Sequence, residues 1–333
     1  MSQQEGHAMI KYFYLNEDAL REQYPEFSHK SIRARSYTRS ARTLAAYESD
    51  WNDFCDWCLF NKRQPFPAAP STIVDYLNDL ANFVHLSTIR RRVSALSENF
   101  RAAGVTPNPC EDWLVHQTVS TICKTQGDAP EGKAPLYWTD LKRIIDTLDE
   151  ERTSHIRDKA ILLTGFMGAL RRSELSALDL GDIRKAPHGI IITIRKEGTA
   201  PAYQNQKIGI PEIDSPTYSA IIALRQWFIA GKIKEGPFFC SLLRNGTSSF
   251  RRLSDKSINA IVKNHVARID LNPDQYGASS LRSGFEESAI NMGIPKHYIK
   301  MHMQRDYSAL KHPDISNTQL FINNPISQMF HEE

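Results

Sequence analysis

Arg282 falls where a cation is least at home and an anion most welcome. Ser279 or Ser280 can cap a helix beginning at Leu281, in which Phe285, Ala289 and Met292 recur at helical spacing and Gly293 supplies the stop. Arg282 is therefore predicted in the first turn, beside free backbone N–H groups and the positive end of the helix dipole. A guanidinium placed there is suited to gripping an anion such as phosphate. Ser279 could hydrogen-bond the same anion or simply cap its helix. Further along, His312-Pro313-Asp314-Ile315-Ser316-Asn317-Thr318-Gln319-Leu320-Phe321 reads as a turn followed by a short helix ending in an aromatic. Upstream, Gly168-Ala169-Leu170-Arg171-Arg172-Ser173-Glu174-Leu175 follows a strongly apolar stretch, Ile156 to Gly168, that must be core. Arg171 and Glu174 could be a surface ion pair worth under about 1 kcal/mol. The apolar helix beside them favours a buried site instead.

These residues need elements to hold them. A chain of 333 residues, 41% of them hydrophobic, can bury a large core and is expected to form two domains. Lys plus Arg number 41 against 38 Asp plus Glu, a balance too slight to imply nucleic acid by itself. Distribution says more. From His29 to Tyr47 the chain carries Lys30, Arg33, Arg35, Arg39 and Arg42 with no acid, and Arg90-Arg91-Arg92 follows. A charge run is usually a solvated face, but two such clusters in one half favour a phosphate-facing surface. Five cysteines without paired spacing argue against a disulfide framework and for a reducing compartment. Cys55-Asp56-Trp57-Cys58 has no second ligand pair, so helix packing beside Trp51 and Phe54 is expected, with no metal. Without a signal peptide or an apolar run of membrane length, a soluble, cytoplasmic protein is expected.

Residues 1–35 read as an N-terminal arm and 36–124 as a helical domain. Thr38 to Lys62 places Leu44, Tyr47, Trp51, Phe54 and Cys58 at three- and four-residue steps. Ser71 is predicted to cap a second helix and Ser87 a third, which bears the triple Arg; Trp113 to Cys123 makes a fourth. Gly127, Pro130, Gly132 and Pro135 mark 125–135 as a linker, and a second domain spans 136–333. There Thr139 caps a helix, Gly189 to Lys196 is a β-branched strand with Lys207 on its return, Asp214-Ser215-Pro216 opens a helix, and Ser254 caps another. Pro325 starts a final short helix with Ile326, Met329 and Phe330.

Two sets of motifs resemble the tyrosine recombinase family, which includes phage integrases, Cre and the Xer recombinases. The first runs through Tyr47 to Cys58, Pro65 to Ala68, Ser87 to Leu96 and Ala103 to Pro107, in the order of that family's core-binding domain. The second is Gly168 to Leu175, Leu281 to Phe285, and His312 with Thr318 and Phe321. The resemblance implies a mainly α fold with a small antiparallel β-sheet, a core-binding domain and a catalytic-type domain clamping double-stranded DNA. It implies that Arg171, with Arg172 as the less favoured alternative, Arg282 and His312 bind one phosphodiester, that Lys196, with Lys207 as competitor, protonates the leaving 5′ oxygen, and that Glu174 supports the site from behind. It implies DNA contacts from Arg39, Arg42, Arg90, Arg91 and Arg92, neither cofactor nor metal, and a C-terminal tail that couples protomers into a homo-oligomer on DNA or packs in cis.

Two residues depart from the family pattern. Ser279 stands where the family has a His, and Phe321 stands where it has the nucleophilic Tyr. A phenyl ring has no hydroxyl with which to attack phosphorus, so covalent catalysis at that position is excluded. The segment between Gly293 and His312 is longer than the family's by about seven residues, two turns at 3.6 per turn, and contains Tyr307, a candidate displaced nucleophile. Three readings follow: a specific DNA-binding protein that no longer cleaves, an active recombinase carried as a Tyr-to-Phe variant or using Tyr307, and a protein-interaction module without DNA. The additional departure at Ser279 favours the first reading, because one change would suffice to stop the chemistry.

Overall fold

Trp51, Phe54 and Cys58 lie on one face of a 20-residue helix, α1 (Ala41–Phe60), and are buried against three further helices. The computed structural model describes residues 41–126, 132–195, 205–304 and 317–330, which divide into two units, 41–126 and the remainder. In the first unit α1 packs with α2 (Pro70–Leu80), α3 (Leu86–Ala102) and α4 (Trp113–Gln126). Their core is Trp51, Phe54, Ile73, Tyr76, Leu77, Ile89, Leu96 and Phe100, each contributing about 1.5–3 kcal/mol if fully buried. Cys55 and Cys58 belong to this core, and burial pushes the Cys58 thiol up to about 12, which fits packing rather than ligation.

Two of the expected caps move, each for a local reason. Pro70, which has no N–H to satisfy, takes the first position of α2, so Ser71 lies inside the helix and Ala69 precedes it. His85 Nδ1 accepts from the Ser87 N–H at 3.2 Å and caps α3, leaving Ser87 in the first turn.

The second unit begins with α5 (Trp138–Asp146). Thr139 does not cap it; the Trp138 N–H instead donates to Ser288 Oγ at 2.9 Å, a partner distant in sequence that replaces a local cap. Next comes α6 (Thr153–Met167), buried nearly all round, then α7 (Arg172–Ala177) and the antiparallel strands β1 (Ile183–Ala186), β2 (Gly189–Ile194) and β3 (Gln206–Pro211). Ile192 pairs with Ile208 and Thr193 with Lys207. Helix α8 (Ala220–Ala230) starts after the expected Asp214-Ser215-Pro216, because Ser219 Oγ accepts from the Ile222 N–H at 3.3 Å. A second sheet, β4 (Cys240–Leu242) with β5 (Ser248–Arg252), leads to α9 (Asp255–Ala267), capped by Ser254 as expected. The last three helices are α10 (Ser279–Asn291), α11 (Lys296–Gln304) and α12 (Pro325–Phe330).

Helix α10 is held against α5 by a close approach that only glycine allows. A Cβ on Gly284 would stand 1.8 Å from the Leu136 carbonyl oxygen, and the Leu136 N–H donates to the Ser280 carbonyl at 2.9 Å. Tail helix α12 packs within its own unit: Ile326 and Met329 are buried in the core, and the Phe330 ring lies 4.7 Å from that of Trp138. A polar cluster is buried between α6 and α9, where Asp158 accepts from Arg157 at 2.8 Å and lies 2.9 Å from His265 Nε2. Beside it, His155 Nδ1 accepts from the Asp149 N–H at 2.9 Å while Arg268 Nη1 approaches Nε2 at 3.1 Å. Burial, then the Arg268 charge, pushes the His155 imidazole below its ordinary pKa.

Candidate functional site

The turn between α6 and α7 places Arg171. Helix α6 ends at Gly168, Ala169 adopts a left-handed backbone (φ 42°), and Leu170 N–H returns to the Gly165 carbonyl at 3.0 Å, so the chain reverses sharply before Arg171. Arg171 is the residue before α7. Glu174 Oε2 accepts its backbone N–H at 2.8 Å, and Glu174 Oε1 accepts from its Nη1 at 2.9 Å. A carboxylate in that position satisfies an orphan donor and complements the helix dipole. The pair is not the buried one expected: the Arg171 side chain is 58% exposed, against 12% for Glu174. The carboxylate turns inward as a cap and leaves the guanidinium in solvent, the condition for meeting a phosphate.

Arg282 reaches the same turn from α10. It lies in the first turn, but Ser279 and Ser280 begin the helix rather than cap it. Ser280 Oγ accepts from the Gly277 N–H at 3.0 Å, and Asn259 Oδ1 of α9 accepts from the Ala278 N–H at 3.0 Å, so a neighbouring helix supplies the cap. Gly277 has no room for a side chain, since a Cβ there would lie 2.6 Å from Asn259 Oδ1. The half-buried Arg282 donates through Nη1 to the Ala169 carbonyl and through Nη2 to the Met303 carbonyl at 2.9 Å. Ala169 is two residues before Arg171, so the two guanidinium-bearing segments meet at one turn. Ser279 is exposed at the start of α10.

Arg195 ties the end of β2 to the segment that follows α7. Its Nη2 donates to the Ala177 carbonyl at the end of α7 at 2.6 Å and pairs with Asp179 at 2.8 Å and Asp182 at 3.0 Å. Burial pushes Asp179 up, but Arg252 at 2.5 Å and Arg195 outweigh it and hold the carboxyl below its usual range. Lys196, His312, Tyr307 and Arg39 lie outside the described residues. Lys207 is exposed on β3, opposite Thr193.

Phe321 belongs to a small apolar cluster apart from the main core. It follows a 3-10 turn, Asn317–Leu320, and packs with Met301 against Ala186, Ile191 and Leu320. Its ring lies 6.1 Å from that of His188, the residue before β2, whereas Arg195 follows β2 at the other end. At 3.3–3.4 Å per residue the two ends are about 20 Å apart. On helix α11, residues two apart point to nearly opposite sides. Met301 faces the Phe321 cluster, whereas Met303 is buried in the main core.

In the first unit the triple Arg divides. Arg90 and Arg91 are exposed, Arg91 pairing with the buried Asp50. Arg92 turns inward, 13% exposed, onto Asp53, Asp50 and the Tyr76 hydroxyl, and burial lowers its pKa. Its guanidinium is committed to carboxylates, which corrects the expectation that it faces phosphate. Of Arg42 only the backbone, in the first turn of α1, is described. His302 was missed from sequence because it sits in the stretch read as extra chain. It is buried on α11, with Nε2 2.7 Å from the Met167 carbonyl. A lone histidine among methionines offers no spacing that would single it out.

Compared with models of protein families, the chain matches none. It is 34% identical over 322 residues to an integrase/recombinase xerD homolog of Selenomonas ruminantium, covering 96% of this chain and 94% of that one. It is 25% identical over 305 residues to the tyrosine recombinase XerC of a Roseiflexus species, covering 85% and 83%. Among solved structures, the XerH site-specific recombinase bound to a palindromic difH substrate aligns with TM-score 0.58 at 13% identity over 86% of this chain and 76% of that one. A lambda integrase dimer bound to a COC' core site aligns with TM-score 0.54 at 14% identity over 93% and 95%.

Proposed function

We propose, from the premise that this chain belongs to the tyrosine recombinase family, that it binds specific duplex DNA through a recombinase phosphate site and does not cleave it at Phe321. The observation that carries the reading is the Arg282 bond to the Ala169 carbonyl, which joins its guanidinium to the turn presenting Arg171. Two guanidiniums meeting at one turn, Arg171 exposed and Arg282 half-buried, suit a phosphodiester, whose non-bridging oxygens accept charge-assisted hydrogen bonds. Lys196 and His312 are proposed to complete the anion side and Glu174 to hold Arg171 from behind. Arg39, Arg42, Arg90 and Arg91 are proposed to extend the phosphate track on the helical domain of 36–124, joined through 125–135 to the catalytic-type domain of 136–333. Ser279, exposed at the start of α10, is proposed to hydrogen-bond the same phosphate. On the attacking side, Phe321 offers no nucleophile, so the reading is a regulator or architectural factor that keeps the recombinase grip. Assembly of more than one copy on DNA is proposed by analogy with the lambda integrase dimer on its core site.

A second reading, cleavage by Tyr307, has one observation in its favour. Met303, whose carbonyl takes Arg282 Nη2, is four residues before Tyr307. Four residues span at most about 14 Å, within which the phenol could reach the phosphate held by Arg282. Titration of duplex DNA against salt tests the first reading. Arg171→Ala with Arg282→Ala should weaken binding and lower the slope of log K against log salt by about 2, roughly 1 for each phosphate-contacting cation removed. An unchanged slope would remove the phosphate site.

A further inference from the structure

The turn that carries Arg171 is gripped by two side chains. Within it, the N–H groups of Gly168, Ala169 and Leu170 return to the carbonyls of Thr164, Phe166 and Gly165. The Met167 and Ala169 carbonyls are taken from outside the turn, one by His302 at 2.7 Å and the other by Arg282. The next residue after His302 closes the circuit, for the Met303 carbonyl accepts from Arg282 Nη2 at 2.9 Å. Met167, His302, Met303, Arg282 and Ala169 thus form one ring of bonded neighbours spanning α6, α11 and α10.

From this ring we infer that His302 is a positioning residue for Arg282, an inference that rests on the phosphate-site reading above. A carbonyl only accepts, so Nε2 carries the proton and donates to Met167. That bond pins α11 to the last turn of α6, and the Met303 carbonyl is thereby set where Arg282 reaches it. The imidazole is 2% exposed and its ring lies 5.1 Å from that of Phe285, so it touches no DNA itself. Its effect passes through the backbone of its neighbour. Without the bond, α11 is free to shift and the guanidinium loses one of the two carbonyls that aim it. Small misplacements of a charge-assisted donor are costly because hydrogen bonds weaken steeply with angle.

The test compares donors of the same chemistry and different reach. The Gln amide nitrogen stands as many bonds from Cβ as imidazole Nε2 does, and the Asn amide nitrogen stands one bond short. Affinity for sheared genomic duplex DNA is measured against salt for the unmodified chain, Arg282→Ala, His302→Gln, His302→Asn and His302→Leu, with a melting curve for each. Arg282→Ala should lower the salt slope by about 0.9. His302→Gln should keep the slope, with affinity within about threefold, whereas His302→Asn should lose about tenfold and take the slope of Arg282→Ala. A folded His302→Asn with unaltered affinity and slope overturns the inference, as does a folded His302→Gln that behaves like Arg282→Ala. If His302→Asn does not fold, His302→Leu, which fills the space beside Phe285 without a donor, takes its place. If Arg282→Ala leaves the slope unchanged, the phosphate-site reading fails first. If Arg282→Ala lowers the slope and His302→Asn does not, only the positioning role fails.

Discussion

The ring of Phe321 packs edge-on against that of His188, with 6.1 Å between centroids, at the end of β2 away from Arg195. The residue proposed above to stand at the family's nucleophile position thus packs in a small apolar cluster with Leu320, Ile191 and Met301. Its role in this conformation is packing. Phe321→Ala should cost about 1–2 kcal/mol, less than the 3–5 of a fully buried Phe because the ring is half-buried. Urea unfolding measures this. Unchanged stability would mean that the ring does not pack in this cluster.

Arg92 and its neighbours separate charge used for stability from charge used for DNA. Arg92→Ala removes the inward counter-charge of Asp53 and the more distant of the two arginines on Asp50, which keeps Arg91, and should cost about 1–3 kcal/mol. Arg90→Ala should leave stability within about 0.5 kcal/mol and lower the salt slope by about 0.9. The two variants exchanging these behaviours would reverse the assignment.

Stability should fall on mild acidification through His155. Its pKa is pushed below the ordinary 6.5, first by burial and then by Arg268. The unfolded chain therefore takes up the proton more readily. The contribution is fully present above about pH 6.5 and is lost as pH falls through the lower folded value. Protonation also removes the acceptor for the Asp149 N–H. Denaturation midpoints between about pH 7 and 5 should drop for the unmodified chain and drop less for His155→Gln; equal slopes would assign the titration to another group.

How far the sequence could be read depended on whether a signal was local. Helical spacing placed Trp51, Phe54, Cys58 and Phe285 in the cores, because periodicity depends only on the chain's own neighbours. The turn before Arg171, the cap at Ser254 and the final helix at Pro325 were legible for the same reason. The caps expected at Thr139, Ser279 and Ser280 failed because partners distant in sequence, Ser288 and Asn259, serve those helix starts. The inward turn of Arg92 and the bond from His302 to Met167 are likewise tertiary. Neither leaves a spacing in the sequence.

Gly284 sets how closely α10, and with it Arg282, approaches the rest of its unit. A Cβ there would stand 1.8 Å from the Leu136 carbonyl oxygen, a backbone atom that cannot step aside. Gly284→Ala should destabilise by about 3 kcal/mol, the upper part of the overpacking range, and weaken DNA binding more than melting alone accounts for. A stable variant with unaltered binding would mean that α10 can be displaced without moving Arg282.

The most direct measurement is the fate of labelled genomic fragments, selected by binding to the unmodified chain, when the complexes are run on a denaturing gel beside those of Tyr307→Phe and Phe321→Tyr. A DNA binder that does not cleave should retain the fragments under native conditions and release them completely on denaturation, for the unmodified chain and for Tyr307→Phe alike. A covalent adduct in the unmodified chain that Tyr307→Phe abolishes would contradict this and make the protein an active recombinase with a displaced nucleophile.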